Sequence, residues 1–198
     1  MPHAAKDFSS LKGSLDGFSD KQLDAHFTLY NGYVTKLNEI EEKLKTADRS
    51  KANYSFNEYS ELKRREAVAF NGTYLHQLYF ENLSGKGGDP SDDVKKAATA
   101  AFGSWDAYLA DVKGAAGSTP GWVLTTRNRV DGALHNYIMF EHHIGLPAHQ
   151  DIVLALDCWE HAFFIDYGAK KADYLGAFLK NVNWSEVNRR LERLGAST

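Results

Sequence analysis

The strongest constraint on this chain is a short apolar run near its end, Ile152-Val153-Leu154-Ala155-Leu156, that stops on a carboxylate, Asp157. A run of that length and composition reads as a buried strand. His161 follows four residues later, and then comes a dense aromatic patch through Phe163, Phe164 and Tyr167. A hard oxygen donor and an imidazole form a pair suited to a first-row transition metal. Alone the pair decides little, because Asp-x-x-x-His arises by chance in many chains.

Composition narrows the classes. The 198 residues are 43% apolar and 13% aromatic, enough for a real core, in one large domain or two small ones. A formal charge of −3 leaves no electrostatic footprint for nucleic acid. The basic clusters Lys63-Arg64-Arg65 and Arg189-Arg190 read as solvated helix faces. The single cysteine, Cys158, excludes an internal disulfide framework and suits a reducing compartment. No apolar run approaches the roughly 18 residues that span a bilayer, and Met1 to Asp7 lacks the apolar core of a signal peptide. The expectation is a soluble, cytoplasmic protein.

Taken in order, the chain is irregular to about Gly17. Ser19 followed by Gln22 makes a capping box, which starts a helix. Leu23, Phe27, Tyr30, Val34, Leu37 and Leu44 recur at helical steps, and His26, Tyr30 and Tyr33 share a face at i, i+4 and i+7. After a polar break from Asp48 to Asn53, a second helix is predicted from about Asn57 to Leu83, carrying Leu62, Val68, Leu75, His76 and Tyr79. The Gly/Pro-rich stretch from Ser84 to Pro90 marks a domain boundary. Beyond it, Ser91 and Ser104 can each cap a helix. Trp122 to Arg127 and Leu134 to Glu141 flank Val130-Asp131-Gly132 as a hairpin, residues 151–156 supply a third strand, and the tail from about Ala172 returns to helix. Helices followed by helices mixed with strands argue for an α+β protein. The expected architecture is an antiparallel helical hairpin domain, residues 1–88, carrying His26 and His76. An α+β domain follows, residues 89–198, with a three-stranded antiparallel sheet and with Asp157 and His161.

Four places thus supply candidate ligands: His26, His76, Asp157 and His161. Three imidazoles and a carboxylate suit iron or manganese, and an all-thiolate zinc site is impossible with one cysteine. Taken singly, His26 and His76 also read as ordinary core histidines.

The whole string is more specific than its parts. Asp157-Cys158-Trp159-Glu160-His161-Ala162-Phe163-Phe164 through Tyr167, with Asn183-Trp184 downstream, resembles the C-terminal signature of the iron/manganese superoxide dismutases. Leu23 to His26, continuing to Tyr33-Val34-Thr35-Lys36-Leu37-Asn38, is similar to the family's first ligand helix. Gly72 to Tyr79 is similar to the second, and Phe102-Gly103-Ser104 and Gly121-Trp122 match shorter landmarks.

The resemblance implies disproportionation of superoxide to dioxygen and hydrogen peroxide, at one iron or manganese ion per chain that alternates between +3 and +2. Iron is the expected metal, with manganese the alternative. It implies His26, His76, Asp157 and His161 as ligands beside a fifth, solvent ligand, and it sets Trp122, Trp159 and Tyr79 around them. It makes Glu160 and Phe164 contacts across the two-fold interface of a homodimer. The partners it implies are superoxide and small anions. The family's glutamine near the bound solvent comes from one of two positions. One is Gly72 here; the other falls, counting along the second strand, on His142, with His143 one step away.

Two departures follow. From His26 to Tyr33 the helix is one residue shorter than the family's usual spacing, which accommodates a π-bulge. A seven-residue step in regular α-helix returns within about 20° of its start, so an unbroken helix is predicted with Tyr33 on the ligand face. Secondly, Tyr30 stands where the family usually has a histidine, and Phe164 stands for the tyrosine that meets it across the dimer. The substrate gate is therefore Tyr33 or Tyr30, and Tyr30 is expected to pack toward Phe164 of the partner chain. Two other readings stay in view: a non-enzymatic scaffold of the same fold, and another mononuclear iron enzyme such as an oxygenase.

Overall fold

The computed structural model describes residues 1–195. Two long helices, α1 (Asp20–Thr46) and α2 (Glu58–Glu81), form the N-terminal hairpin. Ser19 caps α1 by accepting the Gln22 amide, and Asn57 caps α2 by accepting from Tyr59 and Ser60. Each cap takes up donors that a helix start leaves unpaired. The buried stripe of α1 runs through Leu23, His26, Tyr30, Val34, Leu37, Ile40 and Leu44, at steps of three or four. His26 is thus carried into the interior by the apolar pattern around it. The helix is α throughout, with no π-bulge between His26 and Tyr33. At the far end of the hairpin, Leu37, Ile40, Leu44 and Ala69 form a small core of their own.

The second half begins with α3 (Asp92–Phe102) and α4 (Trp105–Gly117), capped by Ser91 and Ser104. Three antiparallel strands follow, β1 (Trp122–Asn128), β2 (Leu134–Met139) and β3 (Gln150–Asp157), in the order β2-β1-β3. A 3-10 turn at Glu160–Ala162 then leads into α5 (Phe164–Tyr167), α6 (Lys171–Lys180) and α7 (Trp184–Gly195). The main core joins both halves, with Tyr79 and Phe80 of α2 in the same cluster as Trp122, Leu124 and Leu154 of the sheet. Among the described residues, no helix is long and apolar enough to cross a membrane.

Three details differ from the sequence reading. Asp157 does not follow the last strand but ends it, paired with Trp122. The C-terminal helix is two helices, because the chain turns back at Asn181–Asn183 onto the end of α2. There the Asn181 carboxamide accepts the Asp16 N–H (3.0 Å) and donates to the Asp16 carbonyl (2.7 Å), while Asn183 N–H donates to Asn82 O (2.7 Å). Thirdly, β2 ends at Met139, so His142 lies in a turn beyond the strand. Phe140 N–H closes that turn on Ile144 O (3.2 Å). Gly145, at φ 124°, presses against Ile138 and Met139, where a side chain would meet the Ile138 carbonyl.

Buried Arg190 ties α7 to the hairpin and the sheet. Its guanidinium donates to Glu186 (2.9 Å), to Glu81 (2.8 Å) and to Asn82 Oδ1 (3.0 Å), and Asn82 Oδ1 also accepts the Ala155 N–H (3.0 Å). One side chain thereby fixes the end of α2, six residues past His76, against the strand that ends in Asp157. Replacing Arg190 by alanine removes the cation that joins Glu186, Glu81 and Asn82 Oδ1. It should lower unfolding stability on the order of 3 kcal/mol. Urea midpoints of the two proteins, at one fixed protein and metal concentration, measure it.

Candidate metal centre

The imidazoles of His26, His76 and His161 converge on one carboxylate oxygen. His26 Nε2 lies 3.1 Å from Asp157 Oδ2, His161 Nε2 3.2 Å and His76 Nε2 3.4 Å. His76 Nε2 and His161 Nε2 are 3.3 Å apart. The four donor atoms all fall within 4.8 Å of one another, three from buried residues and one, that of His161, from a partly exposed one. Four distant stretches of sequence are needed to build this. α1 supplies His26 and α2 supplies His76, both from buried faces; β3 ends at Asp157, and the 3-10 turn holds His161.

Hydrogen bonding fixes what each group offers. His76 Nδ1–H donates to Gly72 O (2.5 Å), which leaves a bare lone pair on Nε2 of the neutral ring. Burial lowers the pKa of His26 against the pull of Asp157, and lowers that of His76 well below its ordinary value. Both are therefore neutral imidazoles. Burial alone would raise the Asp157 carboxyl, but the facing His161 and His26 outweigh it and hold the group far below the usual carboxylate range. Asp157 Oδ1 is tied down by the Trp159 backbone N–H (2.9 Å), so only Oδ2 faces the centre. A lone pair of His76 thus points toward an anionic oxygen, and a cation held between the two would make that arrangement favourable. For metal–ligand bonds of about 2.1 Å, ligands set near right angles or slightly wider stand about 3.0–3.4 Å apart, which matches the four separations of 3.1–3.4 Å. Three imidazole nitrogens and a carboxylate oxygen are a donor set that fits iron or manganese.

Around the ligands lies a directed chain of hydrogen bonds. Trp122 Nε1–H donates to His142 Nδ1 (2.9 Å), and an indole can only donate, so the ring proton of neutral His142 sits on Nε2. Burial keeps His142 neutral, with its pKa lowered to about 4. His142 Nε2–H then donates to the Tyr33 hydroxyl oxygen (2.7 Å), which leaves the Tyr33 O–H proton free for another acceptor. Tyr33 also stacks on His76, with ring centroids 5.4 Å apart. Its pKa is raised, by burial first and then by the charges of Asp157 and Glu141, so the phenol stays protonated. His142 is buried and His143 is exposed, so of the two positions that strand counting left adjacent it is His142 that meets Tyr33 and Trp122.

Not every candidate from the sequence sits here. Tyr30 is 1% exposed, packs on Phe8 and Phe80, and accepts the Lys6 N–H at its hydroxyl (3.0 Å). It cannot reach Phe164 of another chain. In an unbroken helix it turns toward the N-terminal segment, and Tyr33 takes the place beside His142. Tyr79 packs on His26 with ring centroids 5.2 Å apart, and its hydroxyl lies 3.2 Å from that of Tyr174. Trp159 lies nearly parallel to His161. Glu160 and Phe164 are exposed, on the outer side of the ligand turn. Sequence reasoning missed Tyr174, whose hydroxyl donates to Asp157 O (2.6 Å), and Asn71, whose carboxamide donates to His142 O (2.6 Å). It also read Gln22 only as a cap, although Gln22 stands one turn before His26 on the same buried face.

Comparison with known proteins agrees with this geometry. The models for the iron/manganese superoxide dismutases match residues 16–84, as the alpha-hairpin domain, and residues 90–190, as the C-terminal domain. A superoxide dismutase [Fe] of Aquifex pyrophilus is 39% identical over 185 residues, covering 91% of this chain and 87% of its own. One from Cupriavidus metallidurans, also named for iron, is 36% identical over 195 residues, covering 96% of each chain. A superoxide dismutase [Mn] of Haloferax volcanii is 32% identical over 169 residues, covering 85% and 83%. Matched along both halves, and with the three imidazoles and the carboxylate gathered in one buried cluster, this chain belongs to the iron/manganese superoxide dismutase family.

Proposed function

We propose that this chain disproportionates superoxide at one iron or manganese ion held by His26, His76, Asp157 and His161. The observation that carries the reading is the convergence of three imidazole nitrogens on Asp157 Oδ2 at 3.1–3.4 Å in a buried site. Two superoxide ions and two protons give one dioxygen and one hydrogen peroxide. The bound ion supplies the one-electron chemistry, alternating between +3 and +2. Iron is placed ahead of manganese because the relatives at 39% and 36% identity are named for iron, and the one at 32% for manganese. The protein's own part is to hold His26 and His76 neutral beside an ionised Asp157 and to present a proton at the mouth of the site. Tyr33 fills the last role, since Trp122 and His142 spend their N–H groups on orienting it. A scaffold would have no use for a buried carboxylate ringed by imidazoles. An oxygenase of the two-histidine, one-carboxylate type would leave open the place that a third imidazole takes here.

The division into a hairpin domain, residues 1–88, and an α+β domain, residues 89–198, is part of the same proposal. The two family models, which end at 84 and begin at 90, support it. We also infer a homodimer working in the cytoplasm. Among the described residues, Glu160 has no ion-pair partner and the Nδ1 of His161 has no hydrogen-bond partner. Phe164 and Ile165 beside them are 54% and 45% exposed. An acceptor, an unused donor and an apolar surface on one face make a self-complementary patch, as a two-fold interface requires. Glu160 of one chain would then orient His161 of the other.

Three outcomes test these assignments. His161→Ala should lose metal and activity together, and elemental analysis beside a superoxide assay decides it; full metal content would overturn the ligand set. Trp122→Phe frees His142 to take either tautomer, so turnover should fall about tenfold, or about 1.4 kcal/mol, with metal content unchanged. Glu160→Ala should shift sedimentation toward monomer at micromolar protein and lower activity. An unchanged dimer with unchanged activity would return Glu160 to the ordinary surface.

A further inference from the structure

The start of α1 is capped in an unusual exchange. In a complete capping box the Gln22 side chain would return to the Ser19 N–H. That N–H is taken instead by Asp166 Oδ2 (2.8 Å), and the Gln22 side chain goes elsewhere. It is 1% exposed, its Nε2–H donates to the His161 carbonyl (2.6 Å), and its Oε1 accepts the Ile165 N–H (3.0 Å). Ile165 is four residues after His161, so these are the two groups that one α-helical bond would join. Among the described residues, neither has a backbone partner. One carboxamide is therefore inserted into what would be a helical turn, holding it open through one donor and one acceptor.

We propose that Gln22 is a positioning residue for His161. It stands one helical turn before His26, so the same side chain relates the two imidazoles whose Nε2 atoms lie 3.1 and 3.2 Å from Asp157 Oδ2. The task demands an amide of this length. Glutamine offers a donor and an acceptor in one plane; an ionised glutamate offers two acceptors and would set an anionic oxygen against the His161 carbonyl. Methionine fills the space and offers neither bond. Without the insertion, His161 C=O and Ile165 N–H would pair with each other or be left unpaired, and either outcome turns the His161 ring away from the centre.

The inference rests on His161 being a ligand, and its test separates the two ideas. Gln22→Met and Gln22→Glu are compared with wild type for affinity toward manganese by chelator competition and for the absorption spectrum of the loaded protein. Circular dichroism reports the fold. Gln22→Met should bind about 10- to 100-fold more weakly, the usual effect of losing an orienting partner, with an altered spectrum. Gln22→Glu keeps the length but replaces the donor by an acceptor against the His161 carbonyl, and should lose affinity to a similar degree. A role in packing alone leaves both variants near wild type, because methionine and glutamate each fill the space of glutamine. Wild-type affinity and spectrum in Gln22→Met or in Gln22→Glu overturns the proposal. If Gln22→Met does not fold, Gln22→Glu decides alone. Retained metal in His161→Ala would instead overturn the ligand assignment; lost metal there, with wild-type affinity in Gln22→Met, overturns only the role given to Gln22.

Discussion

A carboxylate at 0% exposure, faced by three imidazoles, is the interaction on which the rest of this structure depends. Removing an ionised group from water costs several kcal/mol even after the protein relaxes around it. Asp157 meets that cost partly through its near neighbours His161 and the Trp159 N–H, and partly through groups that arrive from far along the chain. His26 is 131 residues away and lies on α1, and His76 lies on α2. The hairpin must therefore close over the end of the sheet before the anion has its neighbours. A cation among the four donors would couple the two halves further, since a metal that binds only the assembled site adds its binding free energy to folding.

The supports are arranged to the same end. Oδ1 of Asp157 is fixed by the Trp159 amide, its carbonyl by the Tyr174 hydroxyl, and its strand by pairing with Trp122. Arg190 and Asn82 fasten the end of α2 to that strand two residues earlier, at Ala155. Each contact lies outside the donor set and restricts one ligand's freedom. A site whose ligands are already held loses less entropy when it takes up an ion.

How much of this was legible in the sequence followed from range. The helices were readable because apolar periodicity and caps are local: Ser19, Asn57, Ser91 and Ser104 all cap where their helices start. The ligand set was readable because Asp157 to Tyr167 carries a family pattern. What was hidden is long-range. Nothing in the sequence says that β1 lies between β2 and β3, or that Asn181 turns the tail back by binding Asp16. Strand counting put His142 in a strand, whereas the fold puts it in a turn that Gly145 permits by lying against Ile138 and Met139. Tyr30 misled because it shares the buried face of α1 with His26 yet lies one turn further along. The N-terminal segment, through Phe8 and Lys6, claims that side chain.

Gly72 shows how the packing of an unbroken α1 reaches into the chemistry. A Cβ built on Gly72 would lie 2.4–2.7 Å from the Tyr33 ring, so that ring fills the space a side chain at 72 would need. With α1 unbroken, Tyr33 stands seven residues from His26, stays on the ligand face and settles against α2 at that glycine. The same packing closes the route by which a longer residue at 72 could approach the centre. A hydrogen-bonding group beside Tyr33 must then come from the opposite side, and the turn after β2 supplies it as His142. The unbroken helix, the glycine and the histidine are thus one structural choice. Enlarging Gly72 would force the Tyr33 ring from its stack on His76 and from its bond with His142.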